Sequence, residues 1–544
     1  MLFRSNQPGQ PGQANQSNQP GQPGQANQSN QSNQSNQSNQ PGQPTPVTPI
    51  DAEPRDVVDR LDTDRVGIDA ALARQLGDAC SSVSVLDADR AEAGRDWWPL
   101  AIGWAAEGAV PSRPALVARP TDTAQVSAVL ALCNGAGIPV TPAGGRSGVC
   151  GASIPLFGGV ALDLCGLAGI AEVDSTSLVA DLRAGTFGPD VESGLRSGHG
   201  LTLGHWPQSM DLSTVGGWLA CRGAGQYSNR YGKIEDMVLG LEVVLADGRI
   251  VRTGGTGPRS ATGPDLTQLF VGSEGTLGVI TEGRFRVHPV PAGEGRRAVG
   301  FPTFADGLDA CRRILRRGAS PAVLRLYDST ESGRNFDQPD TNVLIVLDES
   351  DPALVEATLA IVDEECSGSI GLDYGLVDRW LAHRNDVSAL APLWRSGVVV
   401  DTVEVAARWA ALPDLYLKVL NALSRVDGTL AASSHQSHAY TDGACLYFTF
   451  AGRPPHGTDP AGRDAWIGNY YRRAWSEVTR ATIDAGGAIS HHHGIGLNRG
   501  RFLAEGLGSA FEVLASLKHT LDPNGILNPG KLGLPTAFGP VPWP

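Results

Sequence analysis

The sequence predicts an α+β protein that contains more than one structural unit. The chain has 544 residues, which exceeds the roughly 100 to 200 residues of a typical single domain. Apolar residues make up 41% of the chain, enough to build a sizeable core. Segments with helical periodicity also alternate with short strand-like runs. Together these observations favour mixed helix and sheet over an all-helical or all-strand fold.

Charge and cysteine content exclude several classes of protein. The formal net charge is −14, which disfavours binding to nucleic acid or to an anionic membrane surface. The eight cysteines contain no Cys-x-x-Cys pair, so neither a disulfide framework nor a zinc ribbon is expected. The sequence contains no run of eighteen apolar residues, so no transmembrane helix is expected. No apolar signal region follows the first residues. We therefore expect a cytoplasmic protein, with peripheral membrane association as an option. The Arg-, Ala- and Gly-rich composition suggests a bacterial source.

The first fifty residues differ from the rest of the chain. SNQPGQPGQANQ occurs at 5–16 and again at 17–28, and four SNQ triplets occupy 29–40. Such a Gln/Asn/Pro/Gly/Ser tract has almost no apolar surface to bury against its ordering entropy. Residues 1–50 are predicted to be a disordered tail without a catalytic role.

Two successive regions follow the tail. Residues 51–112 are predicted to be helical and irregular. From 113 a strand, a helix and a second strand are predicted over 115–140, because apolar residues recur at Val126, Val129, Leu130 and Cys133. Leu241 to Leu245 reads as a strand before a hairpin turn at Asp247-Gly248. This first domain is predicted to span 113–291.

The pattern changes near 292, where the second predicted domain begins. Helices are expected near 304–317, 351–366 and 462–485, and a buried strand over 343–347. The second domain is predicted to span 292–500, and 501–544 is a separate C-terminal segment.

Four glycine-rich loops need a common explanation. They lie at 142–148, 208–217, 221–225 and 272–281. Consecutive glycines let the backbone approach a ligand closely and direct several N–H groups at one cluster of oxygens, a geometry that suits a diphosphate. None of the loops is followed by Gly-Lys-Ser/Thr, and none is a G-x-G-x-x-G turn between strand and helix. Phosphoryl transfer and a standard nicotinamide site are therefore disfavoured.

The order of these loops resembles the vanillyl-alcohol oxidase / p-cresol methylhydroxylase superfamily of flavoenzymes. The run GSEGTLGVIT at 272–281 is similar to a characteristic motif of that superfamily. The stretches 213–218, 231–236 and 257–265 resemble the alkylglycerone-phosphate synthase family in particular. The resemblance covers roughly 113–535 and leaves out the repeats.

The resemblance implies a two-subdomain α/β FAD-binding domain of the p-cresol methylhydroxylase type. An α+β substrate (cap) domain with an antiparallel sheet would follow, and residues 501–544 would pack back on the FAD domain. Noncovalent FAD is expected, because residues 142–150 contain no histidine of the kind that attaches FAD in some relatives. The FAD-binding residues implied are Pro142, Ala143, Gly144, Gly145, Arg146, Ser147, Gly148, Gln208, Ser209, Met210, Asp211, Leu212, Ser213, Thr214, Cys221, Arg222, Gly223, Ala224, Ser273, Glu274, Gly275, Thr276, Leu277, Gly278 and Val279.

Tyr447 is the first candidate catalytic residue. Alternation in its strand places Cys445, Tyr447 and Thr449 on one face and the apolar neighbours on the other. The pattern by itself is also typical of a cross-strand aromatic residue in a sheet. The resemblance implies that Tyr447 is the general acid/base.

His491, His492 and His493 precede a Gly-Ile-Gly turn. On the end of a strand, His491 and His493 would share a face and His492 would oppose them. A solvated histidine tract and a metal site are the alternatives. No metal is predicted, because no further ligands are evident. The resemblance implies that the three histidines line the substrate site.

Arg325 lies between apolar residues on a predicted strand, which is also typical of a buried ion pair. The resemblance implies that it supports catalysis electrostatically. A further substrate-site arginine of the family has no clean match here, and Arg384 and Arg395 are the nearby candidates.

The resemblance implies an enzyme that exchanges the acyl chain of acyl-dihydroxyacetone phosphate for a fatty alcohol through an adduct at flavin N5. The alternative is an FAD-dependent oxidoreductase that takes hydride from a 2-hydroxy acid or a related alcohol. A noncatalytic binding protein is a third option. The expected partner is a small or lipid-like molecule, a homodimer is compatible with the sequence, and no nucleic acid is expected.

Overall fold

The computed structural model describes residues 49–387 and 390–543. The predicted disorder of the repeat tail concerns residues that lie outside this range, except for 49 and 50, and it stays a prediction. No described helix is long and apolar enough to span a bilayer. The eight cysteines are free thiols.

The segment before the first glycine-rich region is mixed, whereas the sequence predicted helices and irregular chain. It contains a 3₁₀ turn at Pro54–Asp56, β1 (Val58–Asp59), α1 (Ala70–Ala79), β2 (Ser82–Ser84), α2 (Asp87–Ala93), α3 (Pro99–Ala105) and β3 (Ala109–Val110). These strands have two or three residues each, too few to produce a detectable alternation of apolar and polar residues. Pairing with partners distant in sequence defines them, and β1 pairs with β3 in parallel.

The glycine-rich region contains strands of two larger sheets, a two-stranded sheet formed by β9 and β13, and several helices. Its elements are β4 (Leu116–Arg119), α4 (Thr123–Ala136), β5 (Val140–Ala143), β6 (Val160–Asp163), a 3₁₀ turn (Leu164–Gly166), β7 (Ile170–Asp174), β8 (Val179–Arg183), α5 (Gly188–His199), β9 (Leu201–Thr202), α6 (Val215–Cys221), α7 (Ser228–Tyr231), α8 (Ile234–Met237), β10 (Val238–Val244), β11 (Ile250–Gly254), α9 (Thr267–Phe270), β12 (Val279–Arg286) and β13 (His288–Pro289).

The first sheet has the order β2-β4-β6-β5, and the second has the order β11-β10-β12-β8-β7. The predicted strand–helix–strand unit is confirmed as β4, α4 and β5. Asp122 begins α4 by accepting a hydrogen bond from the Gln125 N–H, and Gly137 ends it in a left-handed conformation. The predicted hairpin is also confirmed, because β10 and β11 pair in antiparallel fashion around Asp247-Gly248.

A seven-stranded sheet dominates the next region. Its elements are β14 (Gly293–Phe301), α10 (Phe304–Arg316), β15 (Val323–Tyr327), α11 (Ser329–Phe336), β16 (Asn342–Ser350), α12 (Pro352–Glu365), β17 (Ile370–Gly371), α13 (Gly375–His383), α14 (Leu390–Arg395), β18 (Val399–Arg408), α15 (Leu412–Ser424), β19 (Thr429–Ala439), β20 (Gly443–Gly452) and α16 (Pro460–Asp484).

This sheet has the order β17-β14-β16-β15-β19-β20-β18, and every neighbouring pair is antiparallel. The antiparallel sheet of the second domain is therefore confirmed, as are the predicted helices α10, α12 and α16 and the buried strand β16. The largest hydrophobic cluster lies between one face of this sheet and helices α10, α15 and α16. The opposite face of the sheet is left to form part of the site.

The chain ends with α17 (Gly500–Leu507), α18 (Ala510–Leu521) and a coil segment. This segment contacts the glycine-rich region. The Lys518 Nζ donates to the Thr276 carbonyl at 2.9 Å, and the Asn528 side chain donates to the Glu274 carbonyl at 2.7 Å. The predicted boundary near 292 falls between β13 and β14, which belong to different sheets. The limits of independently folding domains stay a prediction.

Candidate active site

A cavity of about 780 Å³ lies between the glycine-rich loops and the seven-stranded sheet. This volume is within the range of roughly 300 to 1,000 Å³ found for cofactor and small-molecule sites. Loop residues form one wall of the cavity, and side chains of β15, β18, β19 and β20 form the opposite wall.

The loop that follows β5 forms part of the first wall. All seven predicted residues of 142–148 line the cavity. A Cβ atom at Gly144 would overlap the Thr214 side chain, and one at Gly145 would overlap the Leu212 carbonyl oxygen. Only glycine fits at these positions, so the bare backbone of the loop packs against 212–214 and faces the cavity.

Most residues of the other predicted loops also line the cavity. These are Gln208, Ser209, Leu212, Ser213, Thr214, Cys221, Gly223, Ala224, Glu274, Gly275, Gly278 and Val279. The predicted residues that do not line it are Met210, Asp211, Arg222, Ser273, Thr276 and Leu277.

These six residues hold the loops in shape or face solvent. Met210 and Leu277 are buried in a hydrophobic cluster. Arg222 adopts a left-handed conformation with φ of 57° and forms an ion pair with Glu235 at 3.3 Å. The Thr276 hydroxyl donates to the Ser273 carbonyl at 2.7 Å, which closes a turn, and Asp211 is exposed. Motif resemblance alone does not distinguish residues that face a ligand from residues that support the loop.

Several buried polar groups at this wall have no hydrogen-bond partner among the described residues. They include both ring nitrogens of His205 and the side-chain oxygen of Gln226, two residues that line the cavity. Burial lowers the pKa of His205 to about 3, so its ring is neutral. Unsatisfied buried polar groups are costly unless a ligand or water pairs with them. A polar cofactor at this wall would pair with these groups and lie against the exposed backbone. The residues present therefore fit FAD.

Tyr447 lies in the middle of the opposite wall. It is a residue of β20, paired with Glu404 of β18 on one side and with His435 of β19 on the other. Its hydroxyl accepts a hydrogen bond from the Thr402 Oγ1 at 3.0 Å. Burial raises the pKa of Tyr447. The ring faces the cavity, whereas the alternate residues Leu446 and Phe448 are in the core.

Arg325 of β15 also lines the cavity. Its guanidinium lies 2.8 Å from the His435 Nε2 and 3.2 Å from the Tyr327 hydroxyl. The His435 Nδ1 in turn lies 2.8 Å from a carboxylate oxygen of Glu331. Among the described residues, no carboxylate forms an ion pair with Arg325 directly. Its positive charge is therefore available to an anionic ligand.

His435 and Glu331 are absent from the sequence prediction. Burial lowers the pKa of His435 against the opposing influence of Glu331. The only sequence signal was alternation along β19, where His435 falls on the face shared with Ser433 and Ser437. Alternation alone does not indicate a site residue. The strand register does, because it places His435 opposite Tyr447.

The three consecutive histidines are not on a strand, which corrects the predicted alternation. Backbone N–H groups of His491, His492 and His493 all donate to one oxygen of Glu404, at 2.9 to 3.1 Å. Such convergence needs a turn-like backbone, because successive N–H groups of a strand point in opposite directions. As a result His492 and His493 line the cavity and His491 does not.

Glu404 is the fully buried support of this turn. It pairs with the fully buried Arg499, and the His493 Nδ1 lies 3.2 Å from its other oxygen. Burial opposes the ionisation of Glu404, but Arg499 and His493 hold its pKa well below the usual value.

Arg384 and Arg395 are separated by the fold. Arg384 follows α13 and lines the cavity, where its guanidinium packs 5.0 Å from the Tyr227 ring and 5.7 Å from the Trp380 ring. No ion-pair partner for it occurs in the part of the chain that is described. Arg395 lines a separate, smaller pocket. Arg325 also lies over Trp380, at 5.5 Å, so Arg325 and Arg384 are neighbours on one wall.

Histidines 438, 491 and 492 form a further cluster, with ring nitrogens within 4.8 Å of one another. Three imidazoles at this spacing are sterically able to hold a metal ion. Each ring also has hydrogen-bond partners within the protein, because the His438 Nδ1 lies 2.8 Å from Ser228 and His491 contacts both Tyr440 and His492.

Two family models match separate parts of this chain. A family model described as an FAD binding domain matches residues 114–254, and one described as the C-terminal domain of FAD linked oxidases matches 295–532. The uncharacterized FAD-linked oxidoreductase YgcU of Escherichia coli O157:H7 is 32% identical over 77% of this chain and 89% of its own length.

Two further relatives carry names that specify an activity. Alkyldihydroxyacetonephosphate synthase of Dictyostelium discoideum is 30% identical over 79% of this chain and 74% of its own length. Glycolate oxidase subunit GlcD of Bacillus subtilis is 30% identical over 77% of this chain and 89% of its own length.

Solved structures agree with the sequence matches. One of alkyldihydroxyacetonephosphate synthase has a TM-score of 0.71 and 25% identity, covering 90% of this chain and 89% of that chain. One of p-cresol methylhydroxylase with substrate bound has a TM-score of 0.69 and 17% identity, covering 87% and 99%, and shows the fold alone. The chain is therefore a flavoprotein of the FAD-linked oxidase family with the p-cresol methylhydroxylase-type FAD-binding fold, and its cofactor is FAD.

Proposed function

We propose that this flavoenzyme is an alkylglycerone-phosphate synthase-type transferase that replaces the acyl chain of acyl-dihydroxyacetone phosphate with a fatty alcohol. The observation that carries the proposal is the wall on which Tyr447 lies with two arginines, Arg325 and Arg384, that have no carboxylate partner among the described residues. A phenol that lines the same cavity as two guanidinium groups without a carboxylate partner suits proton transfer on a substrate that carries a phosphate.

Each residue of the wall has a proposed role. Tyr447 moves the proton on the substrate carbon, with its hydroxyl oriented by Thr402. Arg325 and Arg384 bind the phosphate, and Trp380 holds both guanidinium groups in place. His492 and His493 face the same space and contribute hydrogen bonds to the anionic substrate. Residues 142–148 and 212–214 would hold FAD, whose electrophilic ring would supply a reactive centre for the exchange without net oxidation or reduction.

The second candidate function is oxidation of a 2-hydroxy acid or a related alcohol. The relatives named as oxidoreductases match as well as the synthase does. The same two arginines are able to bind a carboxylate in place of a phosphate. In this case Tyr447 or His492 takes the hydroxyl proton of the substrate. The FAD-binding fold is compatible with both reactions, so the distinction depends on the substrate wall.

Anaerobic absorbance spectroscopy of the purified protein distinguishes the two functions. The transferase predicts that D-lactate, glycolate and D-2-hydroxyglutarate leave the flavin band unchanged. It also predicts that palmitoyl-dihydroxyacetone phosphate with hexadecanol yields the ether product and palmitate. Lasting loss of the flavin band with a hydroxy acid, and restoration by an electron acceptor, contradicts the transferase and supports the oxidoreductase.

A further inference from the structure

A chain of three hydrogen-bonded side chains leads away from the cavity. His492 lines the cavity, and its Nδ1 lies 2.9 Å from the Nδ1 of His491. The Nε2 of His491 lies 2.7 Å from the hydroxyl of Tyr440. Tyr440 is half-buried in the turn between β19 and β20, where the next two residues are exposed. We propose that His492, His491 and Tyr440 form a proton relay between the reaction site and the solvent.

The geometry permits two hydrogen-bond arrangements. In the first, Tyr440 donates to His491 Nε2, and His491 Nδ1–H donates to His492 Nδ1. In the second, every donor and acceptor in the chain is reversed. Each arrangement uses one neutral tautomer of each ring and satisfies both nitrogens of His491. Conversion from one arrangement to the other moves a proton along the whole chain, which is the requirement for a relay.

Neutral rings are necessary for this exchange, because a protonated imidazole only donates hydrogen bonds. Burial lowers the pKa of His491 to about 4, and the nearby Lys233 ammonium acts in the same direction. Burial, together with the neighbouring His493, holds the pKa of His492 well below its usual value. Glu404 opposes both shifts, but its charge is engaged mainly by Arg499. Both rings are therefore able to accept and to donate.

The relay rests on the proposed function in one respect, which is that the reaction releases a proton inside the cavity. Exchange of an acyl chain for an alcohol releases a fatty acid, which ionises to a carboxylate and one proton. Oxidation of an alcohol also releases the hydroxyl proton. The rings of Tyr447 and His492 have centroids 6.1 Å apart on the cavity wall. A proton collected there passes through His491 and Tyr440 to water.

The same histidines invite a competing interpretation as metal ligands. A metal bound to His438, His491 and His492 needs one lone pair from each ring. His491 already uses both nitrogens in hydrogen bonds to Tyr440 and His492. A metal would therefore have to displace at least one of these bonds, whereas the relay uses both of them as they are.

Nitrogen NMR of histidine tests the relay without any substrate. In the holoenzyme labelled with ¹⁵N-histidine, both nitrogens of His491 are expected to show shifts averaged between the protonated and unprotonated forms. Tyr440→Phe keeps the ring but removes the terminal hydroxyl, so one fixed tautomer of His491 is expected. Tyr374→Phe, at an exposed tyrosine, is the matched control and retains the averaging. A single fixed tautomer of His491 in the unmodified protein overturns the relay.

Enzyme kinetics and metal analysis provide two further tests of the relay. With whichever substrate the anaerobic experiment identifies, Tyr440→Phe is expected to lower kcat about tenfold or more and to leave KM unchanged, since Tyr440 is not a lining residue. An unchanged kcat overturns the relay. The protein is dialysed against ZnCl₂ and then against buffer, and its zinc content is measured. One bound zinc per chain that both His438→Ala and His491→Ala abolish overturns the relay in favour of a metal site. The NMR result stands whichever substrate is correct, so failure of the proposed function is distinguishable from failure of the relay.

Discussion

The two walls of the cavity differ in the atoms that they expose, which are mainly backbone atoms on one wall and side-chain atoms on the other. The loop wall consists largely of backbone, with glycines at 144 and 145 where a Cβ would overlap neighbouring atoms. The sheet wall consists of side chains, including Arg325 of β15, which is distant in sequence from His435 and Tyr447 on the hairpin β19–β20. The loop wall suits a cofactor common to a whole family, and the sheet wall suits the substrate of a particular enzyme.

The difference between the two walls indicates where substrate specificity can change during evolution. Backbone contacts depend on the presence of glycine and little else, so many sequences can preserve a wall of this kind. Side-chain contacts depend on the identity and register of individual residues. Substitutions on the two walls should therefore have separable effects, on FAD retention in one case and on turnover in the other.

Gly145→Ala is expected to have the largest effect, because the new Cβ overlaps the Leu212 carbonyl oxygen. The loop must move, and the protein should lose FAD and all activity with it. The ratio of flavin to protein absorbance after gel filtration measures the loss. Gly135→Ala is the control, because a Cβ at this exposed helical glycine would have no neighbouring atom within 4 Å outside its own helix turn. This variant should retain FAD. Full FAD occupancy in Gly145→Ala contradicts the assignment of this wall.

Tyr447→Phe tests the opposite wall. Loss of the hydroxyl should lower kcat by about 10² to 10⁴-fold, the range for a positioned acid or base, while FAD occupancy stays normal. Steady-state kinetics together with the flavin spectrum give both quantities. Tyr374→Phe serves as the exposed control. Retained turnover in Tyr447→Phe means that another group, such as His492, moves the proton.

Arg384→Ala and Arg395→Ala compare the two arginines that sequence alone did not separate. Arg384 lines the cavity and Arg395 lines a different pocket. Loss of a charged hydrogen bond to the substrate anion should raise KM about tenfold to a hundredfold in Arg384→Ala. Arg395→Ala should leave KM unchanged. Equal effects of the two substitutions contradict the anion site.

The smallest expected effect concerns pH and His205 on the loop wall. Its folded pKa of about 3 lies below the ordinary 6.5. As pH falls below 6.5, the unfolded chain binds a proton that the folded protein does not, so stability decreases. Between about pH 6.5 and pH 5 this amounts to about 2 kcal/mol.

Urea unfolding at several pH values measures the effect. His205→Leu should remove this part of the acid sensitivity, whereas His199→Leu, at an exposed histidine, should not. Identical pH slopes for the unmodified protein and His205→Leu would show that His205 has a partner in the folded state.

The accuracy of the sequence-based predictions follows the same division. Helices α4, α10, α12 and α16 were predictable because apolar spacing and capping residues act locally, as with Asp122 and Gly137 around α4. The strands of 51–112 were missed, because two- or three-residue strands exist only through their pairing. The turn at His491 was misassigned as a strand end, because the Glu404 carboxylate that bends it lies almost ninety residues earlier in the chain.

The sequence by itself determined the glycine loops, because spacing and residue type are local properties. Its motifs also carried the resemblance to an FAD-binding family, and that resemblance made Tyr447 and Arg325 candidates. Only the tertiary structure decided that His435 meets Arg325, that Arg384 and not Arg395 faces the cavity, and that His491 turns away from it. The physical reason is that strand register and buried ion pairs join residues far apart in the chain, and no local pattern encodes those distances.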